Sequence, residues 1–337
     1  MIKMNVMLTS VGRRAYMVKY FKEVLGNDGK VFVCNSDDKS IAFKYADEKV
    51  ISPLIYDSNY IPFLLDYCQI NNIDIVISLF DIDLLMLAKH KKKFERIGTK
   101  VIVSDPAIVE ICNDKWKTYK FLTDNGFHAP TSFLDMNEVI EKISEGKLSY
   151  PIVVKPRYGC GSISVAIAYD EEDLRYLTKK ANEDIENSYL KYESAVTNDK
   201  VIYQECLKGQ EYGADIINDL NGKTQNVIIR KKLAMRSGET DIAQLVDEPS
   251  IRETLVRLGA VTKHIANMDC DIFLVNNVPY VLEMNARFGG GYPFSHMGGC
   301  NLPKAIVEWA KGYPVDKETI SAKTGITGYK EIYITEI

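Results

Sequence analysis

Histidine is scarce, four residues in 337, and none falls in an HxxxH or HExxH spacing, so no histidine-built metal site is expected. The seven cysteines (Cys34, Cys68, Cys112, Cys160, Cys206, Cys270 and Cys300) are odd in number and contain no CxxC pair. That argues against a disulfide scaffold or a zinc ribbon and fits a reduced, cytoplasmic setting. Basic excess is also missing. Forty-two Lys and Arg stand against 46 Asp and Glu, a formal charge of −4, whereas a surface that tracks nucleic-acid phosphates brings surplus cations. No apolar run approaches the roughly 18–20 residues that cross a bilayer, so no membrane partner is expected. The opening MIKMNVMLTSVGRR carries its basic pair after the apolar stretch, as a strand does and a secretory signal does not. What remains is a globular balance, 46% hydrophobic and 26% charged, in a chain long enough for two or three domains.

The first hundred residues alternate strand-like runs (Met4–Thr9, Lys30–Asn35, Ile73–Leu79, Lys100–Ser104) with helical ones (Arg13–Leu25, Tyr60–Gln69, Leu84–Phe94). Alternation at this spacing predicts right-handed βαβ units, a small doubly wound parallel sheet over residues 1–108. From Asn113 the pattern changes. Asn113 or Asp114 caps a helix that Gly126 stops, and Asp170 starts another. Strand-like runs then cluster: Pro151–Pro156, Ser162–Ala168, Val201–Glu205, Tyr212–Leu220 and Val227–Lys231. Leu255, Leu258, Val261 and Ile265 mark a helix, and Asp271–Val275 pairs with Tyr280–Asn285 about Asn276-Asn277. An α+β region with antiparallel sheets is expected over 109–311, with an edge segment at 312–337.

Two phosphate motifs are decoys. Gly222-Lys223-Thr224 resembles the end of a P-loop, but position 217 is Ile and the tripeptide sits in a hairpin turn. Thr9-Ser10-Val11-Gly12 follows the first strand yet holds one of the three glycines of a dinucleotide fingerprint. The alternatives there are plain helix packing, or backbone N–H groups that with Arg13 meet an anion.

The residues that carry chemistry lie further on. Lys155 ends the apolar strand Ile-Val-Val-Lys-Pro, where an ammonium is costly unless it meets an anion or water. Gly159, Gly161 and Ser162 follow, a loop whose backbone can approach a polyphosphate or simply turn a hairpin. After Gln204-Glu205-Cys206-Leu207 the chain runs as an extended linker able to offer backbone groups to a base edge, with Glu211 available to a ribose diol or to solvent. Glu283, Asn285 and Arg287 alternate and so are expected on one strand face. Glu283 and Asn285 are hard oxygen ligands suited to Mg²⁺, and Asp271 on the partner strand is either a third ligand or a structural residue. The run Phe288-Gly289-Gly290-Gly291 marks a place where a ligand or another backbone comes close.

In this order the motifs Asp114-Lys115, Val153-Val154-Lys155-Pro156, Gly159-x-Gly161-Ser162, Glu205-x-Leu207-x-Gly209-x-Glu211, Asp271 and Glu283-x-Asn285-x-Arg287 resemble the ATP-grasp superfamily. Single-module relatives of the carbamoyl-phosphate synthase large subunit look nearest. The resemblance covers residues 113 to about 311 and implies that residues 1–108 form a pre-ATP-grasp domain, with a nucleotide-covering lobe at about 120–205. It implies that Lys115 and Lys155 contact the phosphates of ATP beneath the Gly159–Ser162 loop, that the main chain of Glu205 and Leu207 reads adenine, and that Glu211 holds the ribose. Asp271, Glu283 and Asn285 would hold two Mg²⁺ ions, with Mn²⁺ able to substitute. Arg287 would stabilise the transferred group, and Arg230 or Arg236 would assist, with Lys231 and Lys232 as alternatives. Ser164 stands where many relatives have a third loop glycine.

The activity implied is ATP-dependent joining of a small carboxylate, such as an amino acid or sugar acid, to an amine through an acyl phosphate, with a homodimer as the assembly frequent among such relatives. Formation of carboxyphosphate or carbamoyl phosphate, and a non-catalytic ATP-binding regulator, are the alternatives. Asp81 and Asp83, at the carboxyl end of the Ile73–Leu79 strand, either wall the substrate or cap the next helix. Tyr292 and His296 either line the acceptor pocket or are satisfied within their loop.

Overall fold

A computed structural model describes residues 4–159, 161 and 163–336. The chain begins β1 (Val6–Thr9), α1 (Ala15–Leu25), β2 (Val31–Asn35), β3 (Glu48–Ile51), α2 (Tyr60–Ile70), β4 (Ile75–Ser78), α3 (Asp81–Arg96) and β5 (Lys100–Val101). The five strands pair in parallel in the order β3-β2-β1-β4-β5. β1 and β4 are buried along their whole length, which is why they read as continuous apolar runs rather than alternating ones. The chain order reverses between them, so Thr9 and Ser78 end at the crevice where such sheets place ligands. Helix α3 starts three residues before the expected Leu84. Asp81 and Asp83 therefore lie inside its first turn, where the helix dipole favours them, and neither caps it: the N-cap is Phe80, with no side-chain bond.

Next come α4 (Pro106–Asn113), started by Asp105 and a first-turn proline, and α5 (Lys115–Asp124). A four-stranded antiparallel sheet follows, built from β6 (Ser132–Phe133), β7 (Ile152–Pro156), β8 (Ala166–Ala168) and β9 (Val201–Glu205) in the order β6-β9-β7-β8. Between these strands run α6 (Met136–Ser144), α7 (Glu171–Glu186) and the short α8 (Leu190–Ser194). Asp170 caps α7 as expected, accepting from the Asp173 N–H at 2.8 Å. Val139, Leu174, Ile185 and Leu190 pack with the strands into this lobe's own core.

A six-stranded sheet completes the molecule, with β10 (Gln210–Asn218), β11 (Thr224–Arg236), β12 (Glu239–Val246), α9 (Pro249–Thr262), β13 (Asn267–Val275), β14 (Val278–Asn285), α10 (Tyr292–Met297), α11 (Leu302–Ala310) and β15 (Thr327–Tyr329). The strand order is β14-β13-β10-β11-β12-β15. β11 extends well beyond the expected Val227–Lys231 because β12, unforeseen in the sequence, pairs along its far half. The turn at Gly222 is a hairpin turn between β10 and β11 and has no phosphate-loop geometry. β15 sits at the sheet edge, where an edge segment was expected. One apolar core runs from Leu8, Met17 and Phe21 in the parallel region to Phe288, Tyr292 and Ile306 in the last.

Candidate active site

The site grows from the way α5 is fastened to β7. The Asp114 carboxylate caps α5, accepting from the N–H groups of Trp116 (3.0 Å) and Lys117 (3.3 Å), and also receives Arg157 Nε and Nη2, each at 2.7 Å, and the Tyr158 hydroxyl at 3.1 Å. Burial would raise the Asp114 pKa, but the Arg157 guanidinium outweighs it and holds the carboxyl below its ordinary range. The Lys115 N–H donates to the Arg157 carbonyl at 3.1 Å, so the first residue of α5 lies against the end of β7. This brings Lys115 and Lys155 together, as the sequence led one to expect; Arg157, the clamp, carried no recognisable signal.

Both lysines line a cavity of about 380 Å³ between the four-stranded and six-stranded sheets. Gly159, Gly161, Glu205, Leu207, Glu211, Asp271 and Glu283 line it too, so nine of the residues singled out in the sequence share one space. Ser162 lies outside the described residues. Asn285, 8% exposed, lines a smaller recess that adjoins the cavity through Gly159 and Glu283 and also holds Asp81, Asn113 and Glu193. Val153, Ile163, Val165, Phe273 and Leu282 supply apolar wall.

The β13–β14 hairpin explains the acid pair. Asn276 and Asn277, at φ 49° and 63°, make the tight turn, and Asp271 then faces Glu283 directly across the ladder. A bulge after Asp271 shifts the pairing so that Ile272 opposes Val281. The short interval between Asp271 and Glu283 is thus what places them opposite one another.

Lys155 is 6% exposed, and among the described residues no carboxylate lies within 4.0 Å of its ammonium. Burial, with a smaller contribution from Lys115, pushes its pKa down to about 8 against the pull of Glu283 and Asp271. Lys115 donates to the Gly159 carbonyl at 2.5 Å and stands 3.6 Å from Glu283. Lys232 is different. Its ammonium bridges Glu211 and Asp271, each at 2.6 Å, and these charges outweigh burial to hold its pKa above the ordinary value. Burial, aided by Asp269 and Glu283, raises the Asp271 pKa despite that lysine, so the acid pair is short of positive charge. Of the basic alternatives on β11, then, Lys232 reaches the cavity; Lys231 does not line it, and Arg236 pairs with Asp241 on the exposed strand end.

The two arginines are placed otherwise than expected. β14 ends at Asn285, and the chain turns there, the Arg287 N–H donating to the Asn285 carbonyl at 2.7 Å. Arg287 therefore does not continue the strand face of Glu283 and Asn285, and it does not line the cavity. It binds Asp81 at 2.8 Å and Asp269 at 3.4 Å. Arg230, 1% exposed, also lies outside the cavity lining, tied to Asp215 at 2.5 Å and to Asp269. Asp269 thus links the two guanidiniums. Two glycines of the run after Phe288 make room for this knot. A Cβ at Gly289 would stand 2.1 Å from the Asp269 carboxyl carbon, and one at Gly291 would stand 2.2 Å from Arg230 Nε.

Other expectations resolve in the same way. The Glu205 N–H is taken by the Thr131 carbonyl at 2.9 Å, leaving Leu207, in the linker beyond β9, outside either strand's ladder. Ser164 adopts φ 53° and is pinned by its hydroxyl to Asp184 at 2.7 Å, doing with a side-chain bond what a glycine does by lacking a Cβ. Asp83 is neither cap nor cavity wall. It is fully buried and accepts from Thr9 (2.8 Å), Ser10 (2.9 Å), Tyr60 (3.0 Å) and Ser78. Tyr292 is satisfied by the Cys300 carbonyl and the Leu302 N–H, both at 2.9 Å, and His296 stacks on Tyr20 at 3.6 Å; neither lines the cavity. Among the described residues no three His, Cys, Asp or Glu side chains converge as a metal cage, and no helix is long and apolar enough to cross a membrane.

Comparison with known proteins matches this geometry to a family. The ATP-grasp domain family matches residues 112–291, and the family described as PylC-like, N-terminal domain matches residues 6–102. D-alanine--D-alanine ligase of Bacillus anthracis is 24% identical over 283 residues, covering 75% of this chain and 84% of that protein. The carbamoyl phosphate synthase large chain of Saccharolobus islandicus is 24% identical over 220 residues, which span 63% of this chain but 20% of that one. Among solved structures, the biotin carboxylase domain of Hydrogenobacter thermophilus 2-oxoglutarate carboxylase, in complex with MgADP, ADP and bicarbonate, superposes with a TM-score of 0.74 at 17% identity, covering 96% of this chain and 73% of that one. An L-amino acid ligase from Bacillus licheniformis gives 0.68 at 18%, covering 97% and 79%. At these identities the likeness to the solved structures is one of fold. With more than half of its length matched by the ATP-grasp domain, and a parallel-sheet domain of PylC-like type ahead of it, the chain belongs to the ATP-grasp family of enzymes.

Proposed function

We propose that this protein is an ATP-dependent carboxylate–amine ligase that works through an acyl phosphate. The observation that carries the reading is Lys155, a buried ammonium at the wall of a nucleotide-sized cavity with no carboxylate within 4.0 Å of it among the described residues. Such a charge is costly until an anion arrives, and a triphosphate is the anion that this family is named for grasping. Lys115 stands beside it, the apolar wall suits a purine, Leu207 is available to the base edge, and Glu211 reaches the ribose side once Lys232 has fixed its orientation. Glu283, Asp271 and Asn285 would hold Mg²⁺ (two ions, with Mn²⁺ able to substitute), because two half-buried carboxylates facing each other across a hairpin and a nearby amide suit a hard divalent ion. That ion would screen the phosphate charge.

In the reaction, a substrate carboxylate oxygen attacks the γ-phosphorus and the bond to the ADP oxygen breaks. The lysines offset the repulsion between the two anions and hold them in line. An amine then attacks the acyl carbon, phosphate leaves, and the nitrogen gives up a proton. Water must be kept from the acyl phosphate meanwhile, the part a covering lobe would play. Two of the relatives named above, the D-alanine--D-alanine ligase and the L-amino acid ligase, favour an amino-acid substrate.

The test is product analysis with MgATP and pairs drawn from the protein amino acids and D-alanine. ADP and phosphate are expected only when acid and amine are both present. Release of AMP and pyrophosphate would overturn the reading, and turnover that depends on bicarbonate alone would move it to carboxyphosphate formation.

A further inference from the structure

The four-stranded sheet turns one face to the cavity, and its strand registers say which side chains stand there. Ile167 on β8, Val153 on β7, Gln204 on β9 and Ser132 on β6 follow one another across a single rung. Ile167, Val153 and Gln204 line the cavity, as does Lys155, two residues along β7 from Val153. Tyr203, the chain neighbour of Gln204, points the other way, into the core of the lobe. The cavity end of the rung is thus apolar but for one uncharged amide, and the ammonium stands about 7 Å further along β7. Phosphate charge belongs at the Lys155 end and a flat apolar ring at the Gln204 end.

Gln204 is 3% exposed, and the two ends of its amide fare differently. Nε2 donates to the Ser132 hydroxyl at 2.8 Å, whereas the buried Oε1 has no hydrogen-bond partner among the described residues. An orphan acceptor of this kind is costly until a donor reaches it. Ser132 decides which end is orphaned. Its hydroxyl proton goes to the Pro130 carbonyl at 2.8 Å, so towards Gln204 its oxygen accepts. Turning the amide over would take that proton away from Pro130. The backbone beneath is held as well: the Thr131 N–H donates to the Glu205 carboxylate at 3.0 Å, and the Thr131 carbonyl accepts from the Glu205 N–H at 2.9 Å.

We propose that Ser132, acting through Gln204, selects the nucleobase: the locked amide presents an acceptor that takes the exocyclic amino group of adenine and repels the carbonyl oxygen that guanine and hypoxanthine carry at the same place. The proposal rests on the ATP-dependent reading above. Gln204 makes the contact, and Ser132, which does not line the cavity, is a positioning residue.

The probes are the Mg²⁺ complexes of ATP, of ITP, with a carbonyl in place of the amino group, and of purine riboside triphosphate, which has neither. Affinities are measured by calorimetry, so the acid and the amine need not be known. Wild type is expected to hold ATP about 10-fold more tightly than the purine analogue and about 10²-fold more tightly than ITP, the scales of a hydrogen bond gained and of a buried acceptor left unmatched. In Gln204→Leu, ATP and the purine analogue bind alike. Ser132→Ala frees the amide to turn its NH₂ towards a carbonyl, and the ATP-to-ITP ratio falls by about tenfold. Ser132→Thr keeps the hydroxyl and keeps the ratio. A ratio taken within one protein is indifferent to its stability, so a merely structural serine would leave it unmoved. The proposal is overturned if wild type binds the three nucleotides equally, or if either Gln204→Leu or Ser132→Ala retains the wild-type ratios. Failure of wild type to bind any of the three would instead sink the ATP-dependent reading itself.

Discussion

The cations around this site fall into two groups that differ in what answers their charge. Lys155 stands buried without a carboxylate within 4.0 Å among the described residues, and among them Lys115 has one such carboxylate, Glu283 at 3.6 Å. Arg230 and Arg287, equally buried, are each held by two aspartates. Burial alone therefore does not mark a ligand-binding cation. A buried charge already neutralised within the protein organises structure, whereas one left unanswered at a cavity wall is held ready for an incoming anion.

The contrast breaks first if Arg230 proves dispensable. Replacing it by Met leaves Asp215 without a guanidinium and Asp269 with only the 3.4 Å contact to Arg287, and the expected loss is about 3–5 kcal/mol of stability, read from denaturant unfolding. A neutral result would mean that the arginine knot is not structural. Lys155→Met should behave in the opposite sense. Stability is unchanged or improved, because an unpaired buried ammonium has been removed, while ATP turnover falls by about 10²–10³-fold. Steady-state ADP release beside a thermal melt checks both halves.

The smallest effect sharpens the same point through pH. The Lys155 pKa is lowered to about 8 in the folded chain, against an ordinary 10.5. Below pH 8 both states carry the proton and the folded state suffers the full cost of burial. Between about 8 and 10.5 the unfolded chain binds more protons, so this residue's contribution makes the nucleotide-free protein more stable as pH rises. Subtracting the Lys155→Met curve isolates it. Parallel curves for the two proteins across that window would remove the argument for an unanswered charge.

What the sequence disclosed follows the same division. Lys155 at the end of an apolar strand is a local anomaly, legible without any fold, and the Asn276-Asn277 turn fixed which acids would face each other. Asp81, Asp215 and Asp269 were invisible as partners because each is an ordinary aspartate until a fold brings an arginine to it. The run Arg230-Lys231-Lys232 could not be resolved, since which of three neighbouring cations faces the cavity depends on strand register. Lys232 was settled only by its bridge to Glu211 and Asp271. Alternation over Glu283, Asn285 and Arg287 misled at the last member because the strand stops at Asn285. The parallel sheet was readable from its buried runs, whereas β12, whose apolar residues Ile242, Ala243 and Leu245 alternate only in part, was not.

Leu8, Met17 and Phe21 share one interior with Phe288, Tyr292 and Ile306. A chimera that kept residues 112–291 and borrowed its amino-terminal third from a homologue would cut through that interior. Grafting a foreign front third would have to bring α1 together with α10 and α11, so a change of substrate along this lineage is expected to proceed by matched replacements on both sides of the seam rather than by shuffling of modules.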